Sequence, residues 1–202
     1  MTEPTGEGST VPSVKSQPVY VPLAADFSAR SHVLVAESAG LDAVLRVVTE
    51  LKGQGGDAAV EVYWLGPEPA KLASQAVVSA FDTLGALTAA LAQRLASAGM
   101  GLRLYLAGRE SFIWRVNLVA REAGLREDEV LREACGSRAR RVFCVHCRTL
   151  IEDVTTNPVT CPSCGELLEV RDHFSRAMAA YIGVVVNAED PSDAPEPEEQ
   201  FT

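Results

Sequence analysis

The sequence predicts an open, mostly parallel α/β sheet followed by a C-terminal four-cysteine module. Two observations carry this. Short β-branched apolar runs alternate with amphipathic helical stretches between Ser31 and Cys135. Two Cys-x-x-Cys pairs then fall within residues 143–167, in "FCVHCRTLIEDVTTNPVTCPSCGEL". Strands alternating with helices build βαβ units, in which the strands run parallel and the helices cover the sheet. A chain of 202 residues suffices for one such domain plus a small module.

Residues 1–29 read as a flexible N-terminal arm, polar at first and then mixed in "VYVPLAADFSARS", which is expected to lie extended on the body. The α/β body spans residues 30–137. "SHVLVA" is the first strand, apolar on both faces. In the helix that follows, Leu41, Val44, Leu45, Val48 and Leu51 form one stripe, and Gly-Gln-Gly-Gly ends it. "AAVEVYWLG" is the second strand and "AVVSAF" a shorter third. Asp82 or Thr83 can cap the next helix, which aligns Leu84, Leu87, Leu91 and Leu95 and stops at Gly99. "GLRLYLAG" is a strand, and the helix after it turns Ile113, Val116 and Ala120 inward before Gly124. "EVLREAC" is compatible with strand or helix.

The net charge of −9 is concentrated at the end of the chain. Six acids and no base lie in residues 189–202, so residues 188–202 read as an acidic disordered tail and the body is close to neutral. That balance argues against a nucleic-acid binder. No apolar run reaches the roughly 18 residues of a membrane span. The first thirty residues lack a basic start and an apolar core, so a cytoplasmic chain is expected.

Ligands of open α/β sheets bind beyond the carboxyl ends of the strands. Those ends are Ala36–Gly40, Leu65–Pro67 and Ala107–Arg109. The order of elements over residues 32–135, and above all "LYLAGRESFIWRVNLVAREAGLREDEVLREAC", resembles the NAD(P)-binding half of the ferredoxin reductase family, phthalate dioxygenase reductase included. The departures fall at the chemistry. The family's first turn is Gly-rich, whereas here AESAGLD keeps Gly40 alone. A Cβ and the charge of Glu37 would obstruct a pyrophosphate there. The family's Cys-Gly-Pro turn reads Ala107-Gly108-Arg109. The expectation is a degenerate reductase-like domain that binds no nucleotide.

Residues 138–187 form the module with its exit segment. Cys144 and Cys147 make one knuckle, Cys161 and Cys164 the other. The thirteen residues between them allow two short strands and a turn at Asn157-Pro158. Two facing knuckles give a tetrahedral four-sulfur site. Zinc suits a closed Cys₄ site. Iron is the alternative, because Cys161-Pro-Ser-Cys164-Gly165 matches a rubredoxin knuckle, although Arg148 stands where the first knuckle would carry glycine. Cys135 reads as a small buried hydrophobe at the end of the body. His146 reads as exposed, and His173 as a partner of Asp172 or a helix start. No Ser/His/Asp or paired-carboxylate arrangement is recognisable. Arg138, Arg140, Arg141 and Arg148 surround the first knuckle, either as a solvated rim or as a docking face for an acidic partner. Phe174, Met178, Tyr181 and Ile182 are spaced on one face that can pack back on the body or cover a partner.

The two knuckles together with the exit "EVRDHFSRAMAAYIGV" resemble the small A-subunit family of bacterial dimethylamine monooxygenase, over most of residues 20–186. The resemblance implies a multisubunit enzyme that oxidatively demethylates dimethylamine with O₂ and reduced pyridine nucleotide. It implies heme, flavin and an iron–sulfur centre on companion subunits. This chain would then be a zinc-binding accessory subunit without a catalytic site. A rubredoxin-like electron carrier and, third, a zinc-ribbon nucleic-acid binder are the other readings.

Overall fold

The computed structural model describes residues 16–53, 59–186 and 195–202. The body is a five-stranded parallel sheet in the order β3-β2-β1-β4-β5. Its strands are β1 (Ser31–Glu37), β2 (Ala59–Leu65), β3 (Val77–Phe81), β4 (Leu102–Gly108) and β5 (Val130–Ala134). The helices are α1 (Leu41–Gly53), the single turn α2 (Ala70–Ala73), α3 (Leu84–Ala96) and α4 (Glu110–Glu122). β1 and β4 are central and almost wholly buried, which is why they read as unbroken apolar runs. "EVLREAC" resolves as the edge strand β5.

Each sheet face has its own core. Val44, Val47 and Val48 of α1 close over Leu34, Trp64 and Tyr105. Leu87, Leu91 and Leu95 of α3 and Ile113, Val116 and Ala120 of α4 close over Val33, Val35, Leu104 and Leu106. Thr83 is the cap of α3, its side chain accepting from the Ala86 N–H at 3.2 Å.

The module is a second five-stranded sheet, in the order β7-β6-β11-β10-β9. It comprises β6 (Arg140–Cys144), β7 (Leu150–Val154), β9 (Val159–Thr160), β10 (Leu167–Ser175) and β11 (Ala180–Val185), with β8 (Thr156–Asn157) alongside. The exit segment is therefore the hairpin β10–β11 rather than a helix. Phe174 and Tyr181 face each other across it, and β11 runs parallel to β6. The apolar side chains of this sheet join the α3/α4 core: Val142, Val154, Val170, Phe174 and Tyr181 belong to the same cluster as Trp114 and Val116. The two sequence-defined units thus share one hydrophobic core.

Both ends of the described chain are held in place. Residues 16–29 of the arm lie on the body, as its mixed segment leads one to expect, and are tied down there. Tyr20 donates to Glu110 at 2.7 Å and accepts from Trp114 Nε1 at 2.8 Å, Leu23 is buried, and Asp26 pairs with Arg103 at 2.5 Å. In the predicted disordered tail, β12 (Glu198–Glu199) pairs antiparallel with β8, and Phe201 is buried. The arm's first fifteen residues and residues 188–194 lie outside the described residues.

Candidate metal centre

Each knuckle is closed by its own backbone. Cys144 N–H donates to Thr149 O and Arg148 N–H to Cys144 O; Cys161 N–H donates to Glu166 O and Gly165 N–H to Cys161 O. Arg148 and Gly165 hold the same place in their turns and the same left-handed conformation, at φ 66° and 79°. Gly165 adopts it freely and Arg148 under strain. The first knuckle therefore has the geometry of the second despite lacking the glycine.

The two turns face each other, and all four sulfurs lie within 4.8 Å of one another. Cys144 Sγ is 3.9 Å from Cys164 Sγ, and Cys147 Sγ is 3.6 Å from Cys161 Sγ. A tetrahedron of four thiolates, each about 2.3 Å from a metal, has edges of about 3.8 Å, so the donor set fits one tetrahedral ion. Cys144 and Cys161 are buried against Leu168, and Cys147 and Cys164 are half-buried. Thr149 Oγ1 lies 3.3 Å from Cys147 Sγ, where its O–H can donate to a thiolate. The Thr149 side chain and backbone hold the Cys147 thiol down to about 5. At Cys164 the Glu166 backbone lowers the pKa, but burial and the crowding sulfurs outweigh it and push the thiol up to about 12. One thiolate is favoured and further ones repel, an imbalance that a divalent cation would reverse. Cys135 lies apart at the end of β5, half-buried, and burial raises its thiol pKa.

The crevice between β1 and β4, where the strand order reverses, is filled from within. Glu37, 6% exposed, closes it at the end of β1. Its Oε1 accepts from the Arg109 backbone N–H at 2.8 Å and from Arg109 Nε at 3.1 Å, and its Oε2 from Arg109 Nη2 at 3.3 Å. Arg109 caps α4, so an internal carboxylate holds the helix-terminal position that a phosphate would take. Gly40 serves packing: a Cβ there would lie 2.5 Å from Ala107 O on β4. Sequence reading flagged Glu37 as an obstruction. Its pairing with Arg109 has no signature in the sequence, because it joins the end of β1 to the N-terminus of α4, far apart along the chain. Arg109 also reaches Asp153 on β7 at 3.0 Å, tying body to module.

The arginine rim divides. Arg140 lies between the rings of Tyr181 and Phe201, 4.0 Å from each, and pairs with Asp172 at 2.8 Å. Arg141 pairs with Glu152 at 2.7 Å and donates to Met178 O. Both side chains are largely buried, whereas Arg138 and Arg148 are exposed and form no ion pair among the described residues. Phe174 is a core residue, 5% exposed and 5.0 Å from both Trp114 and Tyr181, not a free docking side chain. His146 is exposed. His173 is exposed on β10 and starts no helix, and the partner of Asp172 is Arg140. No helix among the described residues is long and apolar enough to cross a membrane.

Comparison with known proteins places these features. The family model described as "Dimethylamine monooxygenase subunit DmmA-like, N-terminal domain" matches residues 12–130, and its C-terminal counterpart matches residues 141–184. The "Heme-dependent oxidative N-demethylase delta subunit" of Ectopseudomonas mendocina (strain ymp) is 40% identical over 117 residues, 58% of this chain and 67% of that protein. Among solved structures, the ferredoxin reductase of carbazole 1,9a-dioxygenase aligns at 14% identity over 56% of this chain and 40% of its own, with a TM-score of 0.45. Phthalate dioxygenase reductase aligns at 16% identity over 64% and 45%, with a TM-score of 0.41. The chain thus spans less than half of either reductase. Matched from residue 12 to 130 and again across both knuckles, the chain belongs to the DmmA-like family of dimethylamine monooxygenase subunits.

Proposed function

We propose that this chain is a cytoplasmic, non-catalytic accessory subunit of a heme-dependent dimethylamine monooxygenase, holding zinc in its four-cysteine site and serving assembly or electron-transfer docking. Heme, flavin and an iron–sulfur centre belong to companion subunits, a heme-containing oxygenase chain and a reductase chain. The observation that carries this reading is the Glu37–Arg109 closure of the β1/β4 crevice. The fold is kept and its cofactor position is taken by the chain's own carboxylate. A protein that retains a packed body without its nucleotide site serves through its surface.

The free part of that surface lies at the first knuckle. Arg148 stays in a strained left-handed turn at the tip, with exposed Val145 and His146 beside it and Leu150 two residues on. Strain held in an exposed turn marks a position kept for contact. Arg138 adds charge on the same module. Zinc, once bound by Cys144, Cys147, Cys161 and Cys164, would supply only the cross-link that fixes both knuckles, a closed Cys₄ site being structural.

A second reading keeps iron in the site and makes the chain an electron carrier. It is favoured by one observation, that the first knuckle makes the same backbone turn as the second, whose sequence matches a rubredoxin knuckle, although only the second has glycine. A reducible red chain would support it and a colourless one would exclude it. The nucleic-acid reading has little support, since Phe27 is the one exposed Phe, Tyr or Trp ring among the described residues and base stacking needs a platform of several. Coexpression with the companion chains tests the proposal: the chain should copurify with a heme-containing subunit, and Arg148→Glu should release it. A chain that purifies alone from such a mixture would overturn the proposal.

A further inference from the structure

The tail that the sequence marks as disordered packs on the chain's own module. Gln200 and Phe201 N–H groups both donate to Thr155 O at 2.9 Å, and Thr155 Oγ1 donates to Glu199 at 3.2 Å. Glu198 pairs with Asn157 and Glu199 with Thr156 in the antiparallel register. Phe201 enters the trough beside β6 and lies on the Arg140 guanidinium, which lies on Tyr181.

The fit is incomplete. A cavity of about 250 Å³ remains beside Phe201, lined by Tyr20, Glu110, Arg138, Arg140 and Tyr181. Arg140 Nη1 is buried and finds no hydrogen-bond partner among the described residues. A buried guanidinium donor without an acceptor is costly. The tail therefore leaves both space and a donor that another occupant can use. One buried ring and a two-residue strand hold a segment whose ordering costs backbone entropy at every residue, so the tail can be displaced.

We propose that the trough bounded by β8, Arg140 and Tyr181 is a peptide-docking site. Its partner is an extended acidic segment of another protein that carries an aromatic residue two positions after its second acid, the Glu198-Glu199-Gln200-Phe201 pattern. The mode is strand addition at β8, with the aromatic ring on Arg140 giving specificity and the acids matching exposed Arg138. The chain's own tail occupies the site until such a segment replaces it. That the other protein is a companion oxygenase subunit rests on the accessory-subunit reading; the docking site itself does not.

The test uses the full-length chain and a fluorescein-labelled peptide of residues 195–202, followed by fluorescence anisotropy. The tethered tail competes with added peptide, so Phe201→Ala in the chain should raise peptide affinity about tenfold or more over wild type. A peptide carrying the Phe201→Ala change should not bind. Equal binding to both chains, or none to either, overturns the proposal. If Phe201→Ala impairs folding, Gln200→Pro serves in its place, since it removes one surface main-chain donor and leaves the ring. Peptide binding without copurification of a heme chain would leave the docking site standing and remove the accessory-subunit reading.

Discussion

Phe174→Ala separates a core role from a docking role for the most conspicuous aromatic of the exit hairpin. The side chain is 5% exposed, sits 5.0 Å from the Trp114 and Tyr181 rings, and lies in the cluster that joins module to body. Truncating such a ring costs about 3–5 kcal/mol through lost burial and the cavity left behind. Its two aromatic neighbours, each worth about 0.5–1.5 kcal/mol beyond area, place the expected loss in the upper part of that range. For a chain of this size the midpoint of thermal unfolding should fall by on the order of 10 °C. Urea unfolding followed by circular dichroism gives the free energy, and the same transition should report module and body together. A loss below about 1 kcal/mol, well under the usual cost of such a truncation, would refute the shared core.

Three further outcomes follow from single features. Arg148→Gly should stabilise the chain by about 0.5–1 kcal/mol, since a left-handed turn costs a non-glycine residue about 1–2 kcal/mol and glycine returns part of that as chain entropy; denaturant titration reads it. His32 is buried, with Nδ1 3.1 Å from the Tyr105 hydroxyl, which also accepts the Asp26 N–H. Burial lowers its pKa below the ordinary 6.5, so above 6.5 both folded and unfolded chains are neutral there and the contribution to stability is whole. As pH falls below 6.5 the unfolded chain takes up the proton first, so stability should decline from that point, and His32→Gln should flatten this part of the profile. Finally, calorimetric titration with NADH or NADPH at tens of micromolar should show no one-to-one site, because Glu37 and Arg109 already satisfy each other in the crevice; a saturable site would contradict that closure.

Local patterns were the legible part of the sequence. The spacing of Cys144, Cys147, Cys161 and Cys164 is set by two turns, so it survives without knowledge of the fold. The strand–helix alternation to Cys135 was equally readable, because β1 and β4 are buried on both faces and so carry unbroken apolar runs. The exit segment misled, since the spacing of Phe174, Met178, Tyr181 and Ile182 also suits a helix. Pairing of β11 with β6, more than thirty residues away in sequence, overrides that local preference. The tail misled in the opposite sense: its acids dominate its composition, while one residue, Phe201, anchors it. The arginines clustered in sequence, but whether each meets Asp172, Glu152 or solvent is decided by tertiary neighbours.

Metal analysis of the coexpressed complex tests the central claim most directly. The account predicts one zinc per copy of this chain, no colour from the chain once separated, and heme on a companion subunit. Stoichiometric iron on this chain, with a red colour bleached by reduction, would contradict it.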